Sequence, residues 1–435
     1  MRECDARAVA KRGVEELVRS AGVAIGLEAH RMLGSCYGQR VAVIAGPGLN
    51  GADGRVASQW LSSRGAKVDI VEVATQPQEL NGYDLVIDAA FGLGCSREYV
   101  APRVAQGTLV LAVDLPSGVD ADSGALLGNP LVADVTVALG AFKRAHVDGD
   151  ASNYVGRLVF KSLDIETPLR DGVIEDADLD EFVHSSHDDH KWSHAVSVLA
   201  GSANMPGAAA LVCSGALSAG ASMVRLESRG KIAKLVRLPA EVVRYQGPQV
   251  DVRSKSVVAG PGLGIDASKW LRDRLRDVPM PLVLDADGLV ADVVELGRDW
   301  VLTPHRREFE RLSGSTLGSQ RIDAVVAMAQ GTGCVVLLKG PTTIISSPQG
   351  VIRIVKSGTP ALATAGTGDV LGGMIGAALA RGHDPLDAAA LAAHLHGRAG
   401  AHLEVFDGAS LLPRRVTYVL NELAQRPRTD SGRFL

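Results

Sequence analysis

The sequence predicts an α/β fold: two domains in series, each with a largely parallel sheet flanked by helices. Three observations predict it. Short, wholly apolar runs such as Val41-Ala42-Val43-Ile44-Ala45 mark strands buried on both faces. Each run ends in a glycine-rich or acidic turn, and a stretch with helical spacing commonly follows. At 435 residues the chain also exceeds one ordinary domain.

Composition narrows the class. Hydrophobic residues at 46% against 22% charged describe a globular chain rather than a disordered one. A net charge of −4 gives no reason to expect nucleic acid or an anionic membrane as partner. No apolar run approaches the length of about 18 residues that spans a bilayer. Met1 to Arg12 is charged and lacks a signal-peptide core. The five cysteines (Cys4, Cys36, Cys95, Cys213, Cys334) show no metal spacing, and reduced cytoplasmic thiols are the simplest expectation.

Residues 5–36 read as helical, with Val9, Val14, Leu17, Val18, Ala21, Ala24, Ile25 and Leu27 at helical spacing. The strand Val41–Ala45 then runs into Gly46-Pro47-Gly48-Leu49-Asn50-Gly51-Ala52-Asp53-Gly54, and a helix follows through Val56, Ala57, Trp60 and Leu61. Strand, glycine loop and helix N-terminus together suit an anion. Asn50 and Asp53 inside the loop set it apart from a bare pyrophosphate cradle, although it also reads as a turn of residues tolerant of left-handed backbone. Strands are expected at Val68–Val73, at Leu85–Ile87 ending in Asp88, and at Leu109–Val113 ending in Asp114-Leu115-Pro116-Ser117-Gly118. One acidic residue after a strand is commonly a helix cap. Asp53, Asp88 and Asp114 after three parallel strands read together as a site on the rim where open α/β sheets bind ligands. Lys143, after the strand Val135–Ala138, can reach the same rim.

These three loops resemble the signature loops of the NAD(P)HX epimerase family, the YjeF N-terminal domain, over residues 1–165. The resemblance implies a Rossmann-like α/β/α fold that interconverts the R and S forms of hydrated nicotinamide dinucleotide around a potassium ion. Asn50, Asp88 and Ser117 would be potassium ligands, and oxygen-only ligation suits a hard cation. Asp88 would be catalytic. Leu49, Asn50, Gly51, Ala52, Asp53, Gly92, Leu93, Gly94, Cys95, Ser96, Arg97 and Asp114 would contact the dinucleotide. The family usually reads Asn-Asn-Gly-Gly-Asp where this chain has Leu49-Asn50-Gly51-Ala52-Asp53. Leu49 removes a polar contact, and Ala52 would be strained if its position needs positive φ.

Residues 166–189 turn strongly acidic and read as a linker, with His184, His187, His190 and His194 in or beside it as solvated residues rather than a metal site. A second α/β unit follows over 190–425. Its strands are expected at Val196–Ala200, Met223–Leu226, Val257–Ala259, Leu282–Leu284, Trp300–Leu302, Val335–Leu338, Thr343–Ile345 and Val351–Val355. Their ends carry Gly260–Gly264, Asp285-Ala286-Asp287, Thr303-Pro304-His305 and Lys339-Gly340. The densest signal is Thr364-Ala365-Gly366-Thr367-Gly368-Asp369 before a helix bearing Val370, Leu371, Met374 and Ile375 on one face, closed by Gly382. Glycines at a helix N-terminus favour an anion, and a carboxylate beside such a site needs a task such as accepting a proton. A tight turn with Asp near the cap is the plain alternative. The residues after Gln425, 426–435, read as a frayed tail.

In family order, His190-Lys191, Met205-Pro206-Gly207-Ala208-Ala209, Gly260–Gly264, Asp285–Asp287, Thr303–His305, Leu338–Gly340 and Ala363–Leu371 resemble the ribokinase-like NAD(P)H-hydrate dehydratase family. That resemblance implies dehydration of the S form with ADP and magnesium. Asp369 would be the base, with Ala208, Gly262, Gly264, His305 and Asp369 on the substrate side. Lys339, Gly340, Pro341, Thr342, Thr343, Gly366, Thr367 and Gly368 would hold the nucleotide, Lys339 being otherwise a plain strand end. The expected partners are NADHX, NADPHX and ADP, with no nucleic acid and no membrane, in a cytoplasmic homo-oligomer. Two other readings compete. One is a hydroxymethylpyrimidine or pyridoxal kinase sharing the Gly-Thr-Gly-Asp turn. The other is a dehydratase whose N-terminal half is a non-catalytic module.

Overall fold

A computed structural model describes residues 2–167, 170–183, 189–230, 236–247, 249–264, 266–297, 300–404 and 406–425. The chain forms two compact units, Met1–Leu169 with Gly318–Arg321, and Arg170–Leu317 with Ile322–Leu435. The expected tail, 426–435, lies outside the described residues, as do His184 and His187.

The first unit opens with α1 (Arg2–Arg12) and α2 (Val14–Leu33). The helical stretch expected over 5–36 divides into these two helices, because Gly13 sits at φ 82, a left-handed value that breaks the hydrogen-bond ladder. Strands β1 (Arg40–Ala45), β2 (Lys67–Glu72), β3 (Leu85–Ala89), β4 (Leu109–Val113), β5 (Val135–Leu139) and β6 (Arg157–Lys161) form one parallel sheet, with α3 (Leu49–Ser62) crossing between β1 and β2. The sheet order is β6-β5-β4-β3-β1-β2. β6 has no uniform apolar run, so the sequence did not announce it. Among the described residues it pairs only with β5, and it leaves two of its five residues exposed. Val73, expected in β2, opens a 3₁₀ turn instead.

This order contains a switch point. The chain leaves β1 for β2 on one side, then returns across to β3 on the other. The carboxyl ends of β1 and β3 therefore border a crevice, where doubly wound sheets bind their ligands.

The second unit has a ten-stranded sheet. Its strands are β7 (Gly172–Val173), β8 (Ala195–Ser202), β9 (Met223–Arg229), β10 (Val242–Arg244), β11 (Ser256–Ala259), β12 (Leu282–Leu284), β13 (Val301–Leu302), β14 (Val335–Leu338), β15 (Thr343–Ser346) and β16 (Ile352–Val355). They lie in the order β7-β16-β15-β14-β13-β12-β11-β8-β9-β10, with β15 antiparallel to both neighbours and every other pairing parallel. The same switch recurs between β8 and β11. Helix α4 (Pro206–Ser218) crosses to β9, α5 (Ser268–Leu275) joins β11 to β12, α6 (Ala291–Val294) lies between β12 and β13, α7 (Arg306–Ser313) and α8 (Arg321–Thr332) lie between β13 and β14, and α9 (Thr367–Ala380), α10 (Pro385–Gly400) and α11 (Leu412–Ala424) follow β16.

The expected linker folds in part. Over 170–183 it supplies β7, which pairs with β16, and a 3₁₀ segment at Asp176–Val183. Ile174, Leu179 and Phe182 join the core of the second unit while Asp178 and Asp180 stay exposed. The acidic run is one face of an amphipathic segment, and counting charges hid the other face.

Helices α4 and α9 approach closely because both carry glycine at the crossing. A Cβ on Gly373 would lie 2.1 Å from the Val212 carbonyl oxygen, and one on Gly215 would lie 2.2 Å from that of Val370. This packing fixes the start of α9, and with it Asp369.

Candidate functional site

In the first unit, Gly46 and Gly51 let β1 turn directly into α3. A Cβ on Gly46 would sit 1.8 Å from the Ala90 oxygen, and one on Gly51 would sit 1.9 Å from the Gly46 oxygen. Helix α3 begins at Leu49, so Asn50 to Asp53 are helical rather than looped. The concern over Ala52 is thereby corrected: the position is right-handed helix, where alanine is the most favourable residue.

Asp88 lies inside the end of β3 rather than after it, and is fully buried. Its carboxylate accepts from the Ser117 hydroxyl at 2.6 Å, the Ser117 amide at 2.8 Å and the Ala90 amide at 3.3 Å. Burial raises its pKa above the usual carboxylate value, and the Ser117 and Ala90 donors oppose that. The Asn50 amide donates to the Val113 carbonyl at 2.7 Å, which leaves its oxygen facing Gly92, where a Cβ would come within 2.6 Å. Asn50, Asp88 and Ser117 thus offer amide, carboxylate and hydroxyl oxygens, and among the described residues no cationic side chain is paired with buried Asp88. That donor chemistry fits a hard monovalent cation.

A cavity of about 540 Å³ opens beside them. Leu49, Asn50, Asp53, Gly92, Leu93, Gly94, Arg97 and Asp114 line it, whereas Gly51, Ala52, Asp88, Cys95, Ser96 and Ser117 do not. Cys95 is buried, with its thiol 3.7 Å from the Arg97 carbonyl. Asp114 holds a left-handed φ of 64 and forms a buried ion pair with Lys143, whose ammonium also donates to the Leu139 carbonyl at 2.7 Å. Lys143 therefore does reach the rim. Sequence reasoning missed the opposite wall, formed by Asp5, Val9, Val14, Leu17, Val18 and Ala21 of α1 and α2, with Leu163 and Ile165. Its amphipathic spacing was visible, but not what it faced.

In the second unit, Gly366 caps α9 in the left-handed region at φ 93, and Thr367 to Asp369 form the first turn. The Thr367 hydroxyl donates to the carbonyls of Leu362 at 2.8 Å and Thr364 at 3.0 Å, so it braces the turn. Behind it His396 is buried with Nε2 2.9 Å from the Thr367 carbonyl. Burial drives this imidazole down to about 4, so it is neutral and donates through Nε2–H. Asp369 is pushed up to about 7, first by burial, then by the negative charge of Asp285, with Lys339 pulling the other way.

Lys339 is no plain strand end. Its ammonium lies 2.8 Å from Asp285 and 4.0 Å from Glu308, and its pKa is raised although burial acts to lower it, because those carboxylates outweigh burial. A Cβ on Gly368 would lie 3.4 Å from this ammonium, which places the helix start beside it. His305 caps α7: the Glu308 amide donates to its Nδ1 at 3.2 Å, and its own amide donates to Glu308 at 2.8 Å. Ala208 and Gly262 touch at the β8/β11 switch, where a Gly262 Cβ would meet that of Ala208 at 2.6 Å. The Gly264 amide donates to Asp287 at 2.8 Å. Gly340 to Thr343 form the β14–β15 turn, closed by the Thr343 hydroxyl 3.4 Å from the Gly340 carbonyl. Among the described residues, no three His, Cys, Asp or Glu side chains are arranged to hold a metal ion, and no helix is long and apolar enough to cross a membrane.

Fold and sites define a two-domain α/β enzyme, with an oxygen-lined pocket in one unit and, in the other, a glycine-capped helix start that carries Asp369 beside Lys339. Residues 196–421 match the family described as NAD(P)H-hydrate dehydratase, and residues 14–82 and 71–145 match the YjeF-related protein N-terminus. The chain belongs to the family of bifunctional NAD(P)H-hydrate repair enzymes, which join these two domains. It is 34% identical to the bifunctional NAD(P)H-hydrate repair enzyme Nnr of Mycobacterium leprae, over 90% of each chain. Its fold is similar to the ADP/ATP-dependent NAD(P)H-hydrate dehydratase of Bacillus subtilis, co-crystallised with ATP and magnesium (26% identity, TM-score 0.50, 56% of this chain and 97% of that one). A ribokinase-like protein of Enterococcus faecalis shares the fold at 21% identity, with a TM-score of 0.52 over 60% of this chain and 99% of that one.

Proposed function

We propose that the chain repairs hydrated NADH and NADPH in two steps. The first unit interconverts the R and S hydrates, and the second dehydrates the S hydrate at the expense of ADP, giving AMP and phosphate. The observation that carries the second step is Asp369, poised near 7 at a glycine-capped helix start beside Lys339.

Hydroxide leaves poorly and phosphate leaves well. Asp369 takes the proton from the ring hydroxyl as the hydroxyl oxygen attacks the terminal phosphoryl group of ADP, and AMP departs. The amides of Gly366, Thr367 and Gly368 and the Lys339 ammonium stabilise charge on the transferred group. The ring-nitrogen lone pair then expels phosphate, and loss of the neighbouring ring proton restores the reduced dinucleotide. Magnesium, with which the Bacillus subtilis relative was co-crystallised together with ATP, would be carried here on the nucleotide phosphates, since Mg²⁺ commonly needs only one or two protein carboxylates. Ala208, Gly262, Gly264 and His305 would border the hydrate, and Gly340 to Thr343 the adenine nucleotide.

In the first unit, Asn50, Asp88 and Ser117 would hold potassium, which would supply positive charge beside the pocket and neutralise Asp88. Asp88 then serves by holding the ion, since it does not line the cavity. The helical placement of Ala52 removes a main support for a non-catalytic first unit.

The test is recovery of reduced-nicotinamide absorbance from S hydrate with ADP and magnesium. Wild type recovers it and Asp369→Asn does not. Starting from R hydrate, wild type outpaces spontaneous epimerisation and Asp88→Ala loses the advantage. If neither hydrate is converted, the repair reading fails.

A further inference from the structure

The first unit brings three carboxyl groups to one rim and gives each a different setting. Asp88 is satisfied by three donors from Ser117 and Ala90. Asp114 is ion-paired with Lys143 and accepts from the Leu139 amide at 3.1 Å. Asp53 is different. It is only 6% exposed, lies one turn into α3 and lines the cavity, yet among the described residues no donor is bonded to its carboxyl. The other ionisable groups lining the cavity are Asp5 of α1, Arg97 after β3, Asp114 after β4 and Lys143 after β5. The Lys143 charge is spent on Asp114 and the Leu139 carbonyl.

Carboxyl groups whose surroundings push them apart are how one site holds both an acid and a permanent anion. We propose that Asp53 is the acid–base residue of the epimerisation, giving its proton to the departing ring hydroxyl and recovering one when water returns to the opposite face. This deepens the reading of the first unit as an epimerase and rests on it.

The step balances without any further reagent. The ring carbon bearing the hydroxyl is bonded to the ring nitrogen. Asp53 protonates the hydroxyl, the C–O bond breaks, and the nitrogen lone pair forms a C=N⁺ bond. The products are water, a planar cation and the Asp53 carboxylate. Water adds to the other face of the planar carbon, and the proton it loses passes through the departed water back to Asp53. The Asp53 and Asp114 carboxylates stand beside the cation while it exists, in a pocket whose α1 and α2 wall is mainly apolar. Burial, and secondarily Asp114, hold the Asp53 carboxyl at about 8, so at neutral pH it is protonated, as the first step requires.

The experiment uses the full chain and purified R hydrate, with dehydration of S hydrate as the check that each sample is folded. Asp53→Asn is expected to lower kcat for epimerisation by about 10²-fold or more, with a much smaller change in KM. Wild-type kcat is expected to fall as pH rises through about 8. Asp53→Glu is expected to restore part of the rate, with that pH limb displaced. Exchange of the ring hydroxyl with ¹⁸O-labelled water is expected in wild type and lost in Asp53→Asn. If Asp53→Asn keeps the wild-type kcat and raises only KM, Asp53 is a binding residue and the proposal is overturned. A wild-type rate that climbs through pH 8 overturns it as well. A wild type that fails to epimerise at any pH defeats the underlying reading and this proposal together, and is distinguished because the loss then precedes any substitution.

Discussion

Asp369→Asn should abolish dehydration and at the same time stabilise the second unit at alkaline pH. The Asp369 carboxyl is held at about 7 against an ordinary value of 3.8, chiefly by burial and by the negative charge of Asp285. That displacement corresponds to roughly 4 kcal/mol against the charged form in the folded state. The sign follows from linkage: a carboxyl raised on folding favours the native state while protonated. Its contribution is complete below pH 3.8 and is lost progressively as pH rises through about 7. Asparagine carries no charge and escapes that loss. Solvent reaches part of the site and the new amide needs its own partners, so we expect about half of the ceiling, on the order of 2 kcal/mol, at pH 8. For a unit of this size that raises the melting temperature by about 4–8 °C. Calorimetry of wild type and Asp369→Asn from pH 4 to pH 8 measures it, with the first-unit transition as internal reference. The gain should be absent near pH 4 and grow towards pH 8. A variant no more stable at pH 8, or stabilised equally at every pH, would refute the claim that a buried charge is maintained for catalysis.

Three further outcomes follow from the geometry. Lys339→Met should move the pH midpoint of dehydration upward, because Lys339 holds the Asp369 carboxyl down, and should cost about 3–5 kcal/mol by leaving Asp285 buried without its partner; a pH–rate profile and urea unfolding check both. Replacing potassium by tetramethylammonium should depress epimerisation of R hydrate while leaving dehydration of S hydrate unchanged, since the oxygen cluster of Asn50, Asp88 and Ser117 belongs to the first unit alone. Ala52→Gly, which brings the loop closer to the family pattern, should lower first-unit stability by about 0.5–1 kcal/mol in a thermal melt, because the position is helical.

Much of the second site was legible because its signals are local. Glycine on either side of Thr367 cannot continue a strand, the apolar face from Val370 to Ile375 demands a helix, and an Asp in its first turn follows from chain order. The acidic and glycine-rich strand ends were legible for the same reason: a buried parallel strand gives out close to where polar residues begin, as β3 does at Ala89, one residue past Asp88. Where local composition had two meanings, it misled. Ala52 read as a strained loop residue until the helix start at Leu49 was seen, and 170–183 read as a linker because its exposed acids outnumber Ile174, Leu179 and Phe182. The short strands β6, β7 and β10 left no signal, because each is held by a neighbour already in place rather than by its own propensity.

By itself the sequence determined that there are two α/β units, where their principal strands lie to within a few residues, and which residue types stand near their ends. Only the tertiary structure decided which ends are neighbours. The switch points between β1 and β3 and between β8 and β11, the pairing of Lys143 with Asp114 and of Lys339 with Asp285, and the α1 and α2 wall over the first cavity all join residues far apart in the chain. The physical reason is that local propensity acts over a few residues, whereas burial and charge are properties of whatever the fold brings alongside. Asp53, Asp88 and Asp114 are the same residue type on the same rim, and only their surroundings make one satisfied, one paired and one neutral.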